Sequence, residues 1–565
     1  MKLCIKLLFA AIALGSLGDL EVAANPICGQ IAPETLEDVA VKVTYEGEVP
    51  AINTDEGSYN MMVAENFDDF LIFIDQKEGI LYKYAEEKRK KKSASGSNSE
   101  VQKIYDVTED IVPHNLQLDI AFPPFGYSPG KKKIHNVAPG PTHDTIIVVF
   151  TSASLPNDNL FPEGVSVLEL PTDFEYNLEE VGNCTDITVC FGDSPPLCCF
   201  GQTVYKLFYK FKFNSDSADS SSSSKSADSS YLSSPELFFA LEMQTTFGHD
   251  GGAMITIPDD GRILYGVGDC LPYGLNGLYA SQDADSHCGK MLLIDPTSGS
   301  YDIVASGIRN SQQMNLEGDD IVFMEIGGVS AEEVNAIPLA DLLDPTHVDN
   351  FGWGMVREES RNGTEFGREG TFAVGRGEIL QFSNPPCLGG QTKDEAEGFI
   401  TPYMQFGRGP GVPLFGITSS VISEKSFHNI KVAASEFNTG TMIVALEDVD
   451  KYAGQPAQSY FVDLYKEAPT KELVPLEDGF NTLVVEALNL DPQSGDSIRG
   501  DSRLFKYPDG SAGVFIERTG QFFRLSEICS RSGSTSKGRG SHKGCGSTSK
   551  GRGSHGNSGR HRGSH

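Results

Sequence analysis

The stretch FIDQKEGILYKY, residues 73–84, places two apolar runs on either side of a polar turn that contains glycine. Two other stretches repeat this pattern loosely, SEFNTGTMIVAL at residues 435–446 and FIERTGQFFRL at residues 515–525. Short apolar runs joined by glycine turns predict β-hairpins. Loose repetition of such hairpins along the chain is typical of sheets arranged radially, in which each sheet buries its faces against its neighbours. The sequence therefore predicts a β-propeller.

Further β-rich runs lie between these hairpins, and each ends at a turn signal. They are DTIIVVFTSAS (144–154), QTVYKLFYKFKF (202–213), GAMITIPDDGRILYGVGD (252–269), GKMLLIDPTSGSYDIVASG (289–307) and DDIVFMEIGG (319–328). Long stretches with helical periodicity are scarce. The predicted fold class is all-β.

The two ends of the chain differ from its body in composition. Residues 1–24 combine a positive start, a short apolar run and a small-residue cleavage site, which is the pattern of a signal peptide. We expect a secreted protein whose globular part covers residues 25–529, with no membrane span because no later apolar run is long enough. Residues 530–565 form a basic tail in which GSTSKGRGSH occurs twice.

Three segments lack the apolar residues that a packed structure needs: residues 86–100, residues 214–235 and the tail. We expect the first two to be low-complexity insertions in the propeller. The tail is either a disordered linker or a polycationic arm for polyanions such as acidic glycans.

The formal net charge is -33, and the tail contributes only basic charges, so the body is strongly acidic. Such a surface repels phosphate, which argues against nucleic acid as a partner of the folded part.

Nine of the eleven cysteines lie outside the signal peptide and the tail. In an oxidising compartment they predict disulfides, since the spacing of histidines and cysteines fits no zinc site. We expect a local knot within residues 184–199, a Cys270–Cys288 staple and a Cys28–Cys529 clamp between the termini. Asn183 and Asn362 lie in glycosylation sequons.

Three motifs carry candidate chemistry. In GHDGG (248–252) glycines flank His249, so the ring is left uncovered and suits a general base, although a histidine bonded locally in a tight turn is an equal alternative. In SGIRNSQQMNL (306–316) Arg309 offers a fixed fork of donors for an oxygen that gains charge, and Asn310 adds a neutral donor.

The third motif, FMEIGGVSAEEVN (323–335), combines carboxylates with two glycines and is followed by Trp353, the single tryptophan. Carboxylate and carbonyl oxygens are ligands that calcium prefers, but a solvated acidic loop would have the same composition.

Taken in this order, GHDGGAMITIPDDGRILYGVGD, GKMLLID, SGIRNSQQMNL, EIGGVSAEEVN and NFGWG resemble the soluble quinoprotein glucose/sorbosone dehydrogenase family. The resemblance is strongest over residues 248–354. It implies a six-bladed propeller that binds pyrroloquinoline quinone (PQQ) and calcium at the mouth of a central channel and oxidises a sugar.

The resemblance also implies a role for individual residues. His249 would remove the proton of the sugar hydroxyl, and Arg309 would polarise the quinone oxygen and hold the cofactor. Asp269, Asn310 and Trp353 would line the cofactor pocket. The backbone carbonyls of Gly327 and Gly328 would bind calcium.

Several positions depart from the family's pattern. Asn438 stands where a cofactor-binding lysine is usual, only Arg499 and Arg503 remain of an Arg-x-Arg pair, and His114 stands near the place of a cofactor-contacting glutamine. Fewer cations should weaken the binding of a tri-acid cofactor, because a buried carboxylate without a partner is costly.

Two functions follow. The first is a secreted PQQ-dependent sugar dehydrogenase that passes electrons to an unidentified acceptor. The second is a catalytically silent propeller of the same lineage, similar to hedgehog-interacting proteins, that binds protein or glycan outside the cell.

Overall fold

The protein is built from β-strands joined by turns. It was analysed as a computed structural model, which describes residues 34–49, 61–63, 67, 69–85, 101–110, 112–118, 132–156, 165–170, 203–214, 231–244, 249–270, 280–326, 331–353, 400, 402–407, 417–436, 439–447, 457–468, 470–491 and 500–529. Helix in these ranges comprises a 3₁₀ turn, Pro113–Asn115, helices α1 (Leu339–Leu342) and α2 (Asn481–Leu488), and the single helical residue Ala280. The all-β class is confirmed. No helix in the described ranges has the length and apolar character that crossing a membrane would require.

The first sheet contains the hairpin predicted by FIDQKEGILYKY. Its strands are β2 (Met61–Val63), β3 (Phe70–Asp75), β4 (Ile80–Ala85) and β5 (Val101–Asp106), all antiparallel and paired in chain order. Between β3 and β4 the amide of Gly79 donates to the carbonyl of Asp75 at 2.8 Å. Gly79 has a φ of +75°, and a Cβ at this position would lie 2.6 Å from Val107. The turn therefore requires glycine.

Three more sheets follow along the chain. The second holds β6 (Ile134–Pro139), β7 (Thr145–Ser152), β9 (Thr203–Phe213) and β10 (Leu232–Gln244), with β8 (Val167–Leu168) at its edge. The third holds β11 (Met254–Thr256), β12 (Ile263–Gly266), β13 (Met291–Ile294) and β14 (Tyr301–Ser306), with β18 (Asp349–Asn350) at its edge. The fourth holds β15 (Met314–Glu317), β16 (Asp320–Glu325), β17 (Ala331–Pro338) and β19 (Met404–Gly407).

The last sheet has nine strands and joins the two ends of the folded body. One part holds β20 (Ile417–Val421), β21 (Val432–Glu436), β22 (Met442–Ala445), β23 (Ser459–Glu467) and β24 (Leu473–Pro475). The other part holds β25 (Ser502–Lys506), β26 (Ala512–Ile516), β27 (Gln521–Cys529) and β1 (Glu34–Glu48). Strand β1 pairs antiparallel with β27 and parallel with β23. The N-terminal strand thus completes the C-terminal part through main-chain hydrogen bonds.

Alternate residues of the central strands enter different apolar cores. In β7, Ile146 and Val148 pack into a core shared with the first sheet, whereas Ile147 and Val149 pack into a core shared with the third sheet. Both faces of these strands are buried, which explains why their sequences are continuously apolar. Strand β11 contacts both β6 and β15, the first strands of the neighbouring sheets, and the arrangement is propeller-like.

The structure corrects one predicted boundary. Residues 214–235 were expected to lack packed structure, but Leu232–Gln244 form strand β10, and Leu232 is buried. Leu232 pairs with Phe213 and Ser233 with Lys212, so the long hairpin of β9 and β10 extends into the serine-rich segment. Strand pairing and one buried leucine outweigh the polar composition at this end of the segment.

The predicted staple between Cys270 and Cys288 is confirmed as a disulfide. It closes a loop with a sequence separation of 18, so the chain-entropy estimate of its contribution to stability is about 3 kcal/mol. We therefore expect the double substitution Cys270→Ala with Cys288→Ala to lower the free energy of unfolding by about that amount. Urea titration followed by far-UV circular dichroism measures the loss. An unchanged midpoint would show that the staple does not stabilise the fold.

Several predictions lie outside the described residues and stay predictions. They are the signal peptide (1–24), the first insertion (86–100), most of the second insertion, the tail (530–565), both sequons, the cysteine knot and the Cys28 end of the predicted clamp.

Candidate active site

Four residues that the sequence singled out come together where the third sheet meets the fourth. His249 precedes β11, Asp269 follows β12, Arg309 follows β14 and Trp353 follows β18. His249 Nδ1 lies 2.9 Å from Asp269 Oδ1, and its Nε2 lies 2.9 Å from Arg309 Nη2. The imidazole is thus held from both sides, by a carboxylate and by a guanidinium.

Asp269 is fully buried, and its carboxylate accepts hydrogen bonds from the side chains of His249 and Trp353. Its second oxygen, Oδ2, accepts a hydrogen bond of 2.9 Å from Trp353 Nε1, and its amide donates to the carbonyl of Arg309 at 2.8 Å. The side chain of Trp353 therefore acts on the site by fixing Asp269. The cofactor-pocket roles predicted for these two residues remain predictions.

Arg309 is fixed by contacts of its guanidinium group and of its backbone amide. Nη1 donates to the carbonyl of Ile326 at 2.6 Å, and the guanidinium carbon lies 5.2 Å from the centre of the Trp353 ring. The backbone amide of Arg309 donates to Glu325 Oε1 at 2.6 Å. A guanidinium supported in this way presents its charge in one direction, at the His249 ring.

These contacts settle which nitrogen of His249 carries the proton. Arginine remains protonated and only donates, so His249 Nε2 accepts from it and Nδ1 donates its hydrogen to Asp269. Burial lowers the pKa of His249, and the positive charge of Arg309 lowers it further, while Asp269 opposes both effects. The ring is therefore neutral near pH 7 and has its lone pair on Nε2. Its side chain keeps 18% of its surface exposed, so a small ligand can reach it.

Asn310 is buried and supports the turn that carries His249. Its side-chain oxygen accepts from the amide of Gly251 at 3.1 Å, and its carbonyl accepts from the amide of Ile326 at 3.3 Å. Gly251 has a φ of +63°, and a Cβ there would lie 2.4 Å from the carbonyl oxygen of Gly266. The glycine is thus required by close packing of the turn against β12. The predicted contact of Asn310 with the cofactor remains a prediction.

The carboxylates of the third motif are buried, which excludes a solvated acidic loop. Glu332 and Glu333 lie in β17, and Glu333 pairs across the sheet with Glu325 of β16. Asn335 Nδ2 lies 3.5 Å from a carboxylate oxygen of Glu325 and of Glu333. Burial raises the pKa of Glu325 well above its usual range, and the charge of Glu333 adds to this effect. Burial and the neighbouring carboxylate therefore both favour the protonated form of Glu325.

The predicted calcium ligands, Gly327 and Gly328, lie outside the described residues. The preceding residue, Ile326, is described, and its carbonyl accepts from Arg309 Nη1. The last described residue before the two glycines therefore contacts Arg309.

Four positions depart from the pattern of the family that the sequence resembles. Two of them contact residues outside the candidate site, and two lie outside the described residues. Arg503 pairs with the buried Glu517 and donates to Gln312 at 3.2 Å. His114 Nδ1 lies 3.0 Å from the hydroxyl of Tyr209. Asn438 and Arg499 are not described.

Sequence reasoning missed Asp250, the residue after His249. Its carboxylate is buried in contact with Lys132, Lys206 and His135, which come from the second sheet and the loop before it. The only signal in the sequence was a charged residue between His249 and the glycine pair.

Comparison with known proteins found no matching family model and no matching curated protein. Solved structures do match. The PQQ-bound form of the aldose sugar dehydrogenase from Streptomyces coelicolor is 14% identical, covering 88% of this chain and 100% of that chain with a TM-score of 0.43. The PQQ domain of pyranose dehydrogenase from Coprinopsis cinerea is 10% identical, covering 87% and 98% with a TM-score of 0.45. The calcium structure of an AA12 enzyme from Trichoderma reesei is 9% identical, covering 88% and 98% with a TM-score of 0.41. The chain is thus similar to solved structures of PQQ-dependent sugar dehydrogenases.

Proposed function

We propose that the protein is a PQQ-dependent sugar oxidoreductase built on a six-bladed propeller. Six groups of strands support the blade count, because the nine-stranded sheet divides at β1 into two four-strand units with β24 attached. Six apolar cores lie between successive groups, and the sixth joins β25–β27 to the first sheet. A ring closed by cores of this kind is the architecture of a propeller.

The observation that carries the function is the arrangement of Asp269, His249 and Arg309. A neutral imidazole with a fixed tautomer can remove a proton from a hydroxyl group, and the carboxylate on its other nitrogen stabilises the charge it gains. A guanidinium next to the same nitrogen stabilises negative charge on an adjacent ligand oxygen. This set suits the oxidation of an alcohol, in which a proton leaves the oxygen and a hydride leaves the carbon.

The guanidinium of Arg309 fits one oxygen of an anionic quinone. PQQ would supply the carbon that accepts the hydride. Arg309 would hold a cofactor oxygen through its guanidinium, and the backbone of Gly327 and Gly328 would hold calcium next to it. His249 and a cofactor oxygen would then share Arg309, so ligand binding has to redirect the Nη2 hydrogen bond that now ends on His249. That change would free Nε2 to accept the proton of the sugar hydroxyl.

A reconstitution experiment tests this proposal. Purified protein is incubated with PQQ and calcium, and dye reduction is assayed with a panel of aldoses. Cofactor-dependent and sugar-dependent dye reduction, lost when calcium is chelated, is the expected result. If the protein acquires neither the absorption of bound PQQ nor turnover with any aldose, the proposal is wrong.

One observation favours a catalytically silent binding protein instead. Arg503, one of the two arginines left near the last blade, is committed to the buried Glu517 and to Gln312. If Arg503 keeps these partners, PQQ gains no carboxylate partner from this part of the ring. Failure of PQQ binding in the reconstitution would favour this alternative, in which the propeller binds protein or glycan.

The Cys270–Cys288 disulfide supports secretion, since such bonds persist in oxidising compartments. We propose that residues 1–24 are removed and that the mature protein is extracellular. N-terminal sequencing of protein recovered from culture medium tests this.

The pH dependence of the reaction should follow the protonation of His249. The pKa of its imidazole is lowered below 6.5, so the base stays unprotonated down to pH values below 6.5 and is lost as the pH falls further. We expect kcat/KM to fall on the acid side with a midpoint below pH 6.5. Steady-state rates across a buffer series give the midpoint, and a value above 6.5 would contradict the assignment of His249 as the base.

A further inference from the structure

A buried cluster of charged side chains adjoins the turn that carries His249. The side chain of Asp250 is fully buried, and its Oδ2 lies 2.8 Å from His135 Nε2, 3.2 Å from Lys132 Nζ and 3.7 Å from Lys206 Nζ. Lys206 is itself fully buried and donates to Thr151 Oγ1 at 3.0 Å, and the side chain of Lys132 keeps 11% of its surface exposed. Two lysines therefore converge on one carboxylate inside the protein.

The protonation states in this cluster follow from burial and charge. Burial lowers the pKa of His135 to about 3, and Lys206 contributes to this, so His135 is neutral. Its Nε2 donates to Asp250, and its Nδ1 accepts from the hydroxyl of Tyr265 at 2.9 Å. Burial also lowers the pKa of Lys206 to about 7. Burial alone would raise the pKa of Asp250, but Lys132 and His135 hold it well below its usual range. Asp250 is therefore charged at neutral pH.

The turn next to Asp250 is held by strands of two sheets, β6 and β12. Asn136 Nδ2 donates to the carbonyl of Gly252 at 2.6 Å, and the amide of Gly252 donates to Gly266 at 2.8 Å. A Cβ on Gly252, which has a φ of +105°, would lie 2.4 Å from the ring of His135. The turn is thus held between β6 on one side and β12 on the other. Its two charged or titratable side chains reach different partners: His249 contacts Asp269 and Arg309, and Asp250 contacts the cluster.

We propose that Asp250 is a positioning residue for His249, and that its buried ion pairs with Lys132 and Lys206 hold the turn in the geometry that the base needs. Removing one partner of a buried ion pair leaves an uncompensated charge, so Asp250 has one strongly preferred position. His249 directly precedes Asp250 in a turn that hydrogen bonds hold to β6 and β12. A displacement of Asp250 therefore moves the imidazole of His249. Shifts of about 1 Å at a reacting group cost up to about 10²-fold in rate. The catalytic part of this inference rests on the proposed function, whereas the placement of His249 does not.

The test compares Asp250→Asn, Lys206→Met and the control Lys210→Met, which lies on the same strand outside the cluster with 21% of its side chain exposed. The first readout is the pKa and tautomer of His249 in the cofactor-free protein, measured by NMR with labelled histidine. Among the described residues, the charged groups that act on His249 are Arg309, Asp269 and Asp250. Asp250→Asn should lower the pKa of His249, because it removes a carboxylate and leaves both lysines uncompensated. Lys206→Met should change the pKa of His249, because it removes one of the two lysines that hold Asp250 in place, and Lys210→Met should leave that pKa unchanged.

The second readout is turnover with PQQ, calcium and sugar. Asp250→Asn should lower kcat/KM by about tenfold or more, with a larger effect on kcat than on KM. If folded Asp250→Asn protein keeps the wild-type pKa, tautomer and rate, the proposal is wrong. Should that variant not fold, Lys206→Met decides, and an unchanged pKa of His249 in it overturns the proposal. Absence of turnover in the wild type would sink the proposed function and leave the NMR comparison to judge the positioning role.

Discussion

His249→Gln should lower kcat/KM of the cofactor-loaded protein by about 10²- to 10⁴-fold, the range that a general base contributes. A glutamine amide can occupy the space between Asp269 and Arg309 and exchange hydrogen bonds with both, but it cannot accept a proton near neutral pH. The ring it replaces is partly exposed, so little packing is lost. The loss should therefore fall on the chemical step.

Steady-state kinetics at saturating PQQ and calcium measure this effect, and the affinity for PQQ is determined separately by titration. His143→Gln is the matched control, since His143 is exposed in the turn between β6 and β7. We expect His249→Gln to bind PQQ and the control to react at the wild-type rate. A His249→Gln variant within a few-fold of the wild-type rate would mean that another group removes the proton.

The strands could be predicted from the sequence because their signals are local. FIDQKEGILYKY forms β3 and β4 around a glycine turn, and FIERTGQFFRL forms β26 and β27 in the same way. Short apolar runs between turn residues favour strand pairing when both faces are buried. The Cys270–Cys288 staple was also predictable, because both cysteines flank one loop.

The meeting of His249, Asp269 and Arg309 could be predicted only from the order of the motifs and the family they resemble. Their spacing in the chain, 20 residues in one case and 60 in the other, contains no distance information by itself. The propeller-like fold brings them together because each follows or precedes a strand of the third sheet.

Other features depend on pairing that no short stretch encodes. The contact between Lys132 and Asp250 joins residues 118 positions apart, in segments that lead into different sheets. The Glu325–Glu333 pair depends on the register of β16 against β17. The sequence could show that these residues are charged, but burial and pairing decide whether such groups are solvated, protonated or held in an ion pair.

Asp269→Asn should lower kcat/KM by about 10³-fold, because asparagine cannot replace both functions of this carboxylate. Asp269 accepts two hydrogen bonds, from His249 Nδ1 and from Trp353 Nε1. The amide of asparagine has one accepting oxygen and one donating nitrogen. If the oxygen faces Trp353, the NH₂ group faces His249 Nδ1 and forces the ring hydrogen onto Nε2, where Arg309 also donates. The base is then lost.

If the amide oxygen faces His249 instead, its NH₂ group meets the Trp353 N–H, and one buried donor is left without an acceptor. That costs about 1–3 kcal/mol of folding free energy and loosens the ring that supports Arg309. Labelled-histidine NMR distinguishes the two orientations through the tautomer of His249, and urea titration measures the stability. Asp259→Asn is the matched control, because Asp259 is exposed in the turn between β11 and β12. Wild-type turnover in an Asp269→Asn variant whose NMR spectrum places the His249 hydrogen on Nε2 would show that the tautomer of His249 does not govern the reaction.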